Sequence, residues 1–437
     1  MRPPRPMNWP LTTTARYESS REASIDAARG AAMVFVCLSH FASYFMVVSG
    51  PSDVGLYLAA VGMIASPTFV TVSGMVAGFM FVARSRSFPH LRRKLVDRGV
   101  FLLLIGHPTL ALTGFLEGRS FALTNSIEYI TDAIAVAVII GPWLVSALRQ
   151  RARISLAVGI FAIDWLAILF WHPTPGAATL AKHYFVGLLN AEDAGLREAF
   201  PVIPWFAVYL TGTAIGESFG AYYAQQNRRG GHVLLAKLGL ASFAFAAVIK
   251  VAFIVLMLSL PNFALAYPNL VALLSSYQKY PPGLTYVCFY AGAGLMLVAA
   301  VLETARRGMQ RSLLNQLRQI GQASFFSYVI QYPLYNVVLP TLQPPYTHAW
   351  PLLFVLSLAL LAVAAAAWNS VEGNRFLSVG IGPLLERRAR QRRERREAPI
   401  ILNVFGVVEA ALTVPPPSGR PLLPNILRFA TGENKRT

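Results

Sequence analysis

The sequence predicts an all-α integral membrane protein, a bundle of about ten transmembrane helices with its N-terminus and C-terminus both cytoplasmic. Three observations lead there. The 437 residues are 55% hydrophobic and only 13% charged, too few polar groups to clothe a soluble domain of that size. The apolar residues come in runs of about 20, the length that crosses a hydrocarbon core. Lys and Arg then concentrate in alternate loops, as cytoplasmic loops should.

The spans read in order as 29–48, 57–82, 98–116, 127–147, 154–171, 202–221, 235–258, 283–302, 319–340 and 351–371. The first follows a polar, Pro-rich segment, 1–28, with no apolar core of a cleavable leader, so the span serves as its own insertion signal. Five basic residues lie in 1–29, six in 84–98 between the second and third spans, and three in 149–153 between the fourth and fifth. Three more lie in 222–237, four in 303–318 and twelve in 372–437. The opposite loops, of which 172–201 and 259–282 are the longest, hold only Arg119, Lys182, Arg197 and Lys279, and Lys250 alone falls deep inside a span. A missed helix would scramble this alternation. The net charge of +18 therefore reads as topology and contact with membrane lipids, with no nucleic-acid partner expected.

The domain plan is a cytoplasmic segment 1–28, a transmembrane domain 29–371 and a basic, partly disordered cytoplasmic tail 372–437. Within the tail, the run from Glu386 to Glu397 (ERRARQRRERRE) is too charged to pack and should lie on the anionic inner leaflet at roughly 1 kcal/mol per basic residue. Residues 399–414 are apolar but short, carry Asn403 and Glu409, and run into Pro415–Pro417; they read as peripheral. Cys37 and Cys288 both fall in spans and offer neither a disulfide framework nor zinc spacing.

Ionisable residues at membrane depth are costly and mark candidate sites. Arg29 and His40 stand eleven positions apart in the first span, which returns them to one helix face about 16 Å apart. That spacing sets a cation where an anionic ligand would enter and an imidazole near mid-membrane. Read alone, it also fits a positive-inside anchor and a packing histidine. Asp164 and Lys250 lie at matching depth in the fifth and seventh spans, as an interhelical ion pair or, in the sharper reading, with Asp164 orienting His40. Glu128 and Asp132, one turn apart at the start of the fourth span, face the outer side as acceptor-binding candidates or as a solvated helix end. Gly74 with Gly78, and Gly212, Gly216 and Gly220, are small-residue spacings for close helix packing. Nucleophile elbow, Walker motif and metal cluster are all lacking, so neither hydrolase nor ATPase nor metalloenzyme is indicated, and no metal is expected.

The segment from Ser24 to Gly30 (SIDAARG) leading to His40 resembles the opening of the transmembrane acyltransferase superfamily, the acyltransferase-3-like proteins, in which Arg and His stand at this spacing in the first helix. Ser66 to Gly74 (SPTFVTVSG) is similar to its second-helix signature, and Arg92 to Gly99 (RRKLVDRG) to its basic approach to the third helix. Phe200 to Trp205 (FPVIPW) with Gly212 and Gly216, and Lys279 to Leu284 (KYPPGL), are similar to bacterial relatives of heparan-α-glucosaminide N-acetyltransferase; periplasmic glucan succinyltransferases are similar near the first two spans. The resemblance covers about residues 21–372. It implies His40, Arg29 and Asp26 as catalytic, Arg29, Arg93, Arg98 and Ser73 as holding acyl-coenzyme A, and Trp205, Asp132, Tyr328 and Gln331 as touching the acceptor. One departure stands out. Where relatives often follow a tyrosine with a histidine in the ninth span, this chain has Tyr328 and then Gln331, which hydrogen-bonds but does not titrate.

The implied activity is transfer of an acetyl or succinyl group from cytoplasmic acyl-CoA, as co-substrate, to a hydroxyl or amine of an extracytoplasmic acceptor, an envelope glycan or small molecule. The expected location is the cytoplasmic (inner) membrane; oligomeric assembly is left open. The competing class is a secondary transporter of a small anionic solute, for which an internal repeat is expected. None is visible: the motif of the first span has no counterpart near the sixth.

Overall fold

A chain crossing hydrocarbon must satisfy its backbone internally. Accordingly, the described residues form helices and their connections, with one isolated bridge between Lys279 and Pro282. The computed structural model describes residues 23–46, 53–85, 87–116, 118–189, 191, 196, 199–260, 262–275, 278–342 and 349–380. Residues 1–22, Arg197 and both tail segments discussed above lie outside the described residues.

Helix α1, Ala23–His40, continues into a π-helical turn, Phe41–Met46. The next crossing is α2, Asp53–Gly62, with α3, Ala65–Ala83. The third joins α4, Phe88–Phe101, through a π-turn at Leu102–Gly106 to α5, His107–Leu116. Then come α6, Ile130–Ala147, α7, Gln150–Phe170, and the short helix α8, Ala177–Phe185. They are followed by α9, Val202–Ala224, α10, Arg228–Ser259, and α11, Leu284–Arg306. Helix α12, Arg311–Gln322, precedes α13, Ser324–Pro333, which passes into a third π-turn, Leu334–Val338; α14 is Trp350–Ser370.

Among the described residues, eight helical stretches are long and apolar enough to cross a membrane, against the ten expected. The two that differ have physical reasons. Helix α9 is threaded with Thr, Gly, Tyr and Glu217, yet it is packed by α3, α6 and α7, and a helix that faces protein instead of lipid need not be apolar. The expected span 319–340 is divided at Ala323, where polar α12 gives way to α13. The expected second span is likewise interrupted at Met63 and Ile64. Pro67 has no N–H for the carbonyl four residues back, and that carbonyl, of Met63, accepts instead from the Tyr286 hydroxyl at 3.2 Å.

Two glycine seams hold the bundle. A Cβ at Gly74 or Gly78 would run into the α9 backbone at Tyr209 or Thr213, and one at Gly212 or Gly216 into the α3 backbone at Thr71 or Met75. The small-residue spacings thus mark a close-packed pair, as expected. At the second seam Gly30 abuts the Leu317 carbonyl and Gly321 abuts that of Asp26, so α1 and α12 meet backbone to backbone. Deeper between α7 and α9, fully buried Arg153 pairs with Glu217 and donates from Nη1 to Thr213 Oγ1 at 2.8 Å.

The expected Asp164–Lys250 pair is not formed. Helix α7 packs on α9 and α6, whereas α10 packs chiefly on α11. Asp164 is buried with neither carboxyl oxygen hydrogen-bonded among the described residues, and the charge that acts on it is that of Lys182 on α8. Lys182 Nζ donates to the Ile168 and Trp171 carbonyls, capping the end of α7; burial holds this amine below the usual lysine range. Lys250 instead lies over the Phe253 ring at 5.7 Å.

A candidate active-site cavity

Rising 1.5 Å per residue, α1 sets Arg29 and His40 about 16 Å apart along its axis. One cavity of about 750 Å³ is lined by both, a volume in the range of small-molecule sites. The chain runs along α1 past His40, back through α2 and α3, and forward again through α4 and α5. The loop before α6, which carries Glu128, therefore lies at the far end of this cavity from Arg29.

At the near end, the α1–α12 seam delivers the start of α13 to Arg29. Arg29 Nη2 donates to Ser324 Oγ at 2.8 Å, the Asp26 carboxylate stands 4.0 Å from Nη1, and Asp26 accepts from Gln322 Nε2 at 3.3 Å. Halfway along, His40 sits among three tyrosine rings, with centroids 5.1 Å to Tyr44, 5.0 Å to Tyr332 and 5.8 Å to Tyr328. The Tyr328 and Tyr332 hydroxyls bond each other at 2.9 Å. Nδ1 of His40 is buried and has no hydrogen-bond partner among the described residues. All three π-turns reach this cavity, through Tyr44, Leu102 and Asn336; such turns frequently accompany functional sites.

At the far end, Glu128 lines the cavity in company with Thr131, Phe200, Lys279 and Tyr280. The Phe200 N–H donates to the Glu128 carbonyl at 3.3 Å, the Phe200 and Tyr280 rings meet at 4.9 Å, and Lys279 Nζ stands 5.1 Å from the Phe200 ring. Glu128 Oε2 and Thr131 Oγ1 are both buried without a hydrogen-bond partner among the described residues. Glu128 precedes α6 and lies outside the spanning helix; burial, reinforced by the nearby Asp132, pushes its carboxyl up to about 10, so it holds its proton at neutral pH.

Of the residues singled out from sequence, the cavity brings together Arg29, His40, Ser73, Glu128 and Tyr328, with Asp26 behind Arg29. Ser73 donates its hydroxyl to the Phe69 carbonyl at 2.7 Å. Others lie elsewhere. Asp132 is covered by α5: its Oδ2 accepts from the Tyr129 N–H at 2.8 Å and meets His107 Nδ1 at 2.9 Å, holding the start of α6 in place of a solvated end. Fully buried Trp205 packs against Phe200 and Tyr286, at 5.7 and 6.5 Å, and fully buried Gln331 is outside the cavity lining. Arg93 and Arg98, on α4, do not line it either. Asp164 makes no hydrogen bond to His40. Tyr44, Tyr332, Ser324 and Thr131 were not anticipated. Four-residue spacing carried a signal for two of them, since Tyr44 follows His40, and Tyr332 follows Tyr328, on the same helix face.

Residues 21–243, about half of the 437, match the family model of heparan-alpha-glucosaminide N-acetyltransferase, catalytic. No curated protein matches the chain. The matched segment carries Arg29, His40, Ser73 and Glu128, while the walls supplied by Lys279, Tyr280 and α13 lie beyond it. Among the groups that the motifs resemble, the match selects this one, and the broader acyltransferase-3 label describes the chain only approximately. From its opening helix into α10, then, the chain belongs to the heparan-α-glucosaminide N-acetyltransferase catalytic family, and it is a multi-pass membrane protein of the acetyltransferase type.

Proposed function

We propose that the protein moves an acyl group, acetyl or succinyl, from acyl-coenzyme A entering at the Arg29 end to a hydroxyl or amine of an acceptor held at the Glu128 end. In this reading the membrane is the cytoplasmic (inner) membrane, with Arg29 on its cytoplasmic side. The acceptor is extracytoplasmic, an envelope glycan in the first instance, since the family's name is that of an enzyme acting on a glucosaminide. One observation carries the reading: a single cavity joins Arg29, His40 and Glu128, so two substrates arriving from opposite sides meet at one imidazole.

The chemistry follows from the groups present. Arg29, a fixed cation with a forked donor face, holds the anionic donor, and Asp26 and Ser324 fix its orientation. His40 takes the proton from the acceptor O–H or N–H as that atom attacks the thioester carbonyl. The C–S bond then breaks, and coenzyme A leaves as a thiolate that takes the proton back from the imidazolium. Attack by His40 itself, through an acyl-imidazole, is the variant with two steps.

The test uses protein purified in detergent, with acetyl-CoA or succinyl-CoA and His40→Ala beside wild type. Release of coenzyme A that vanishes in the variant supports the reading. Failure of well-folded protein to bind either thioester refutes it and brings forward the transporter, which solute uptake into vesicles would then assay.

A further inference from the structure

Buried polar groups are almost always hydrogen-bonded, and each exception asks for a missing partner. The far end of the cavity holds two such exceptions. Glu128 and Thr131 are 7% and 8% exposed, line the same cavity, and leave Oε2 and Oγ1 without a partner among the described residues. They stand three positions apart in the chain, one just before α6 and one in its first turn, and both line the same cavity. We infer that Glu128 and Thr131 form the acceptor subsite of this cavity, binding a hydroxyl of the acceptor other than the group that is acylated. The inference rests on the acyl-transfer reading above and adds to it the residues that select the acceptor and the group they select.

The chemistry favours a hydroxyl-rich, uncharged face. A carboxyl that keeps its proton offers one donor and one acceptor, as the threonine hydroxyl does, and a substrate hydroxyl is complementary to both. An ammonium only donates and would leave the carboxyl O–H unanswered. The Phe200 and Tyr280 rings wall the same end, giving the mixture of apolar wall and few placed polar groups that ligand sites use. Ring to ring, Tyr129 lies 6.4 Å from Tyr332, and Tyr332 lies 5.0 Å from His40. An acceptor touching Glu128 can thus offer another of its groups to the imidazole.

The experiment measures transfer from radiolabelled acetyl-CoA to methyl β-D-glucopyranoside and to glucosamine, for wild type, Glu128→Ala, Glu128→Gln and Thr131→Val, each checked for folding by its unfolding midpoint. Glu128→Ala should raise the acceptor KM about tenfold or more, and Glu128→Gln, which keeps a donor and an acceptor, by about threefold at most. The KM for acetyl-CoA should move less than about twofold in each, because that substrate binds at the other end. If Glu128→Ala does not fold, Thr131→Val carries the test, with an expected rise in acceptor KM of about threefold or more. The subsite is overturned by an unchanged acceptor KM in the variant that folds, or by Glu128→Gln being as impaired as Glu128→Ala. It is also overturned if wild-type protein cleaves acetyl-CoA yet acylates neither probe, a result that leaves acyl transfer standing. Failure to cleave acetyl-CoA at all takes down both.

Discussion

The two ends of the cavity are built on opposite principles. At the Arg29 end the polar groups answer one another: guanidinium to Ser324 and Asp26, Asp26 to Gln322. At the Glu128 end a carboxyl oxygen and a threonine hydroxyl are buried with no answer among the described residues. A self-satisfied cation can wait in place for a charged ligand without reorganising, whereas an unsatisfied pair gains most when a ligand arrives. The first arrangement suits a donor always supplied in one chemical form. The second suits selection among acceptors, because a site with buried polar groups penalises any ligand that fails to meet them.

Four experiments sharpen or break this contrast. His40→Ala stands between the two ends and should lower acyl transfer by about a thousandfold, the scale of general-base catalysis, while acetyl-CoA binding by calorimetry persists; loss of binding would mean that the imidazole belongs to the donor end. Arg29→Ala should weaken acetyl-CoA by about tenfold or more with the acceptor KM unmoved, and Arg29→Lys should fall between, since lysine lacks the fork that reaches Ser324 and donor together. If both KM values rise together, the ends are not separate. The third reads pH. The Glu128 carboxyl is pushed up to about 10, so its protonated form persists through the neutral range and is lost as pH climbs through that value. The acceptor KM should be flat near neutrality and rise toward pH 10 in wild type, with Glu128→Gln flat throughout; a rise centred near the ordinary carboxylate range would break the assignment. The smallest effect is expected from Asp164→Asn. It removes a buried carboxyl that touches neither end, so transfer should be unchanged while the unfolding midpoint shifts through the altered interaction with Lys182; reduced turnover in folded protein would restore a link to His40.

How far the sequence could be read depends on whether an inference stayed within one helix. Arg29 and His40 share a face because 100° per residue is a property of α1 alone, and one cavity does touch both. The glycine seam between α3 and α9 was legible for a similar reason: a missing Cβ says that something comes close without saying what. Asp132, Trp205 and Gln331 needed the rotation of one helix against another, which single-helix periodicity does not contain. Each lies within a turn or two of a cavity residue, behind the wall instead of on it. Helix α9 was legible as a span, but its packing by α3, α6 and α7 was not, since hydropathy scores a helix for lipid and α9 is solvated by protein. The expected span 319–340 began four residues before the break at Ala323, inside α12, because hydropathy carries no mark of that break.

The three π-turns beside the cavity also bear on how the chain tolerates insertions and deletions. Each adds one residue to a helix that would otherwise be regular, so residues before and after it keep separate registers. Removing one residue from Phe41–Met46, Leu102–Gly106 or Leu334–Val338 would let the backbone close as an ordinary α-helix with little rotation of what lies beyond, because the wide turn has already absorbed the extra residue. In the first helix that would leave Arg29 and His40 aligned and confine the change to the wall around Tyr44. Homologous sequences are therefore best aligned with single-residue gaps allowed at these three places, so that the halves of each helix are compared in their own register.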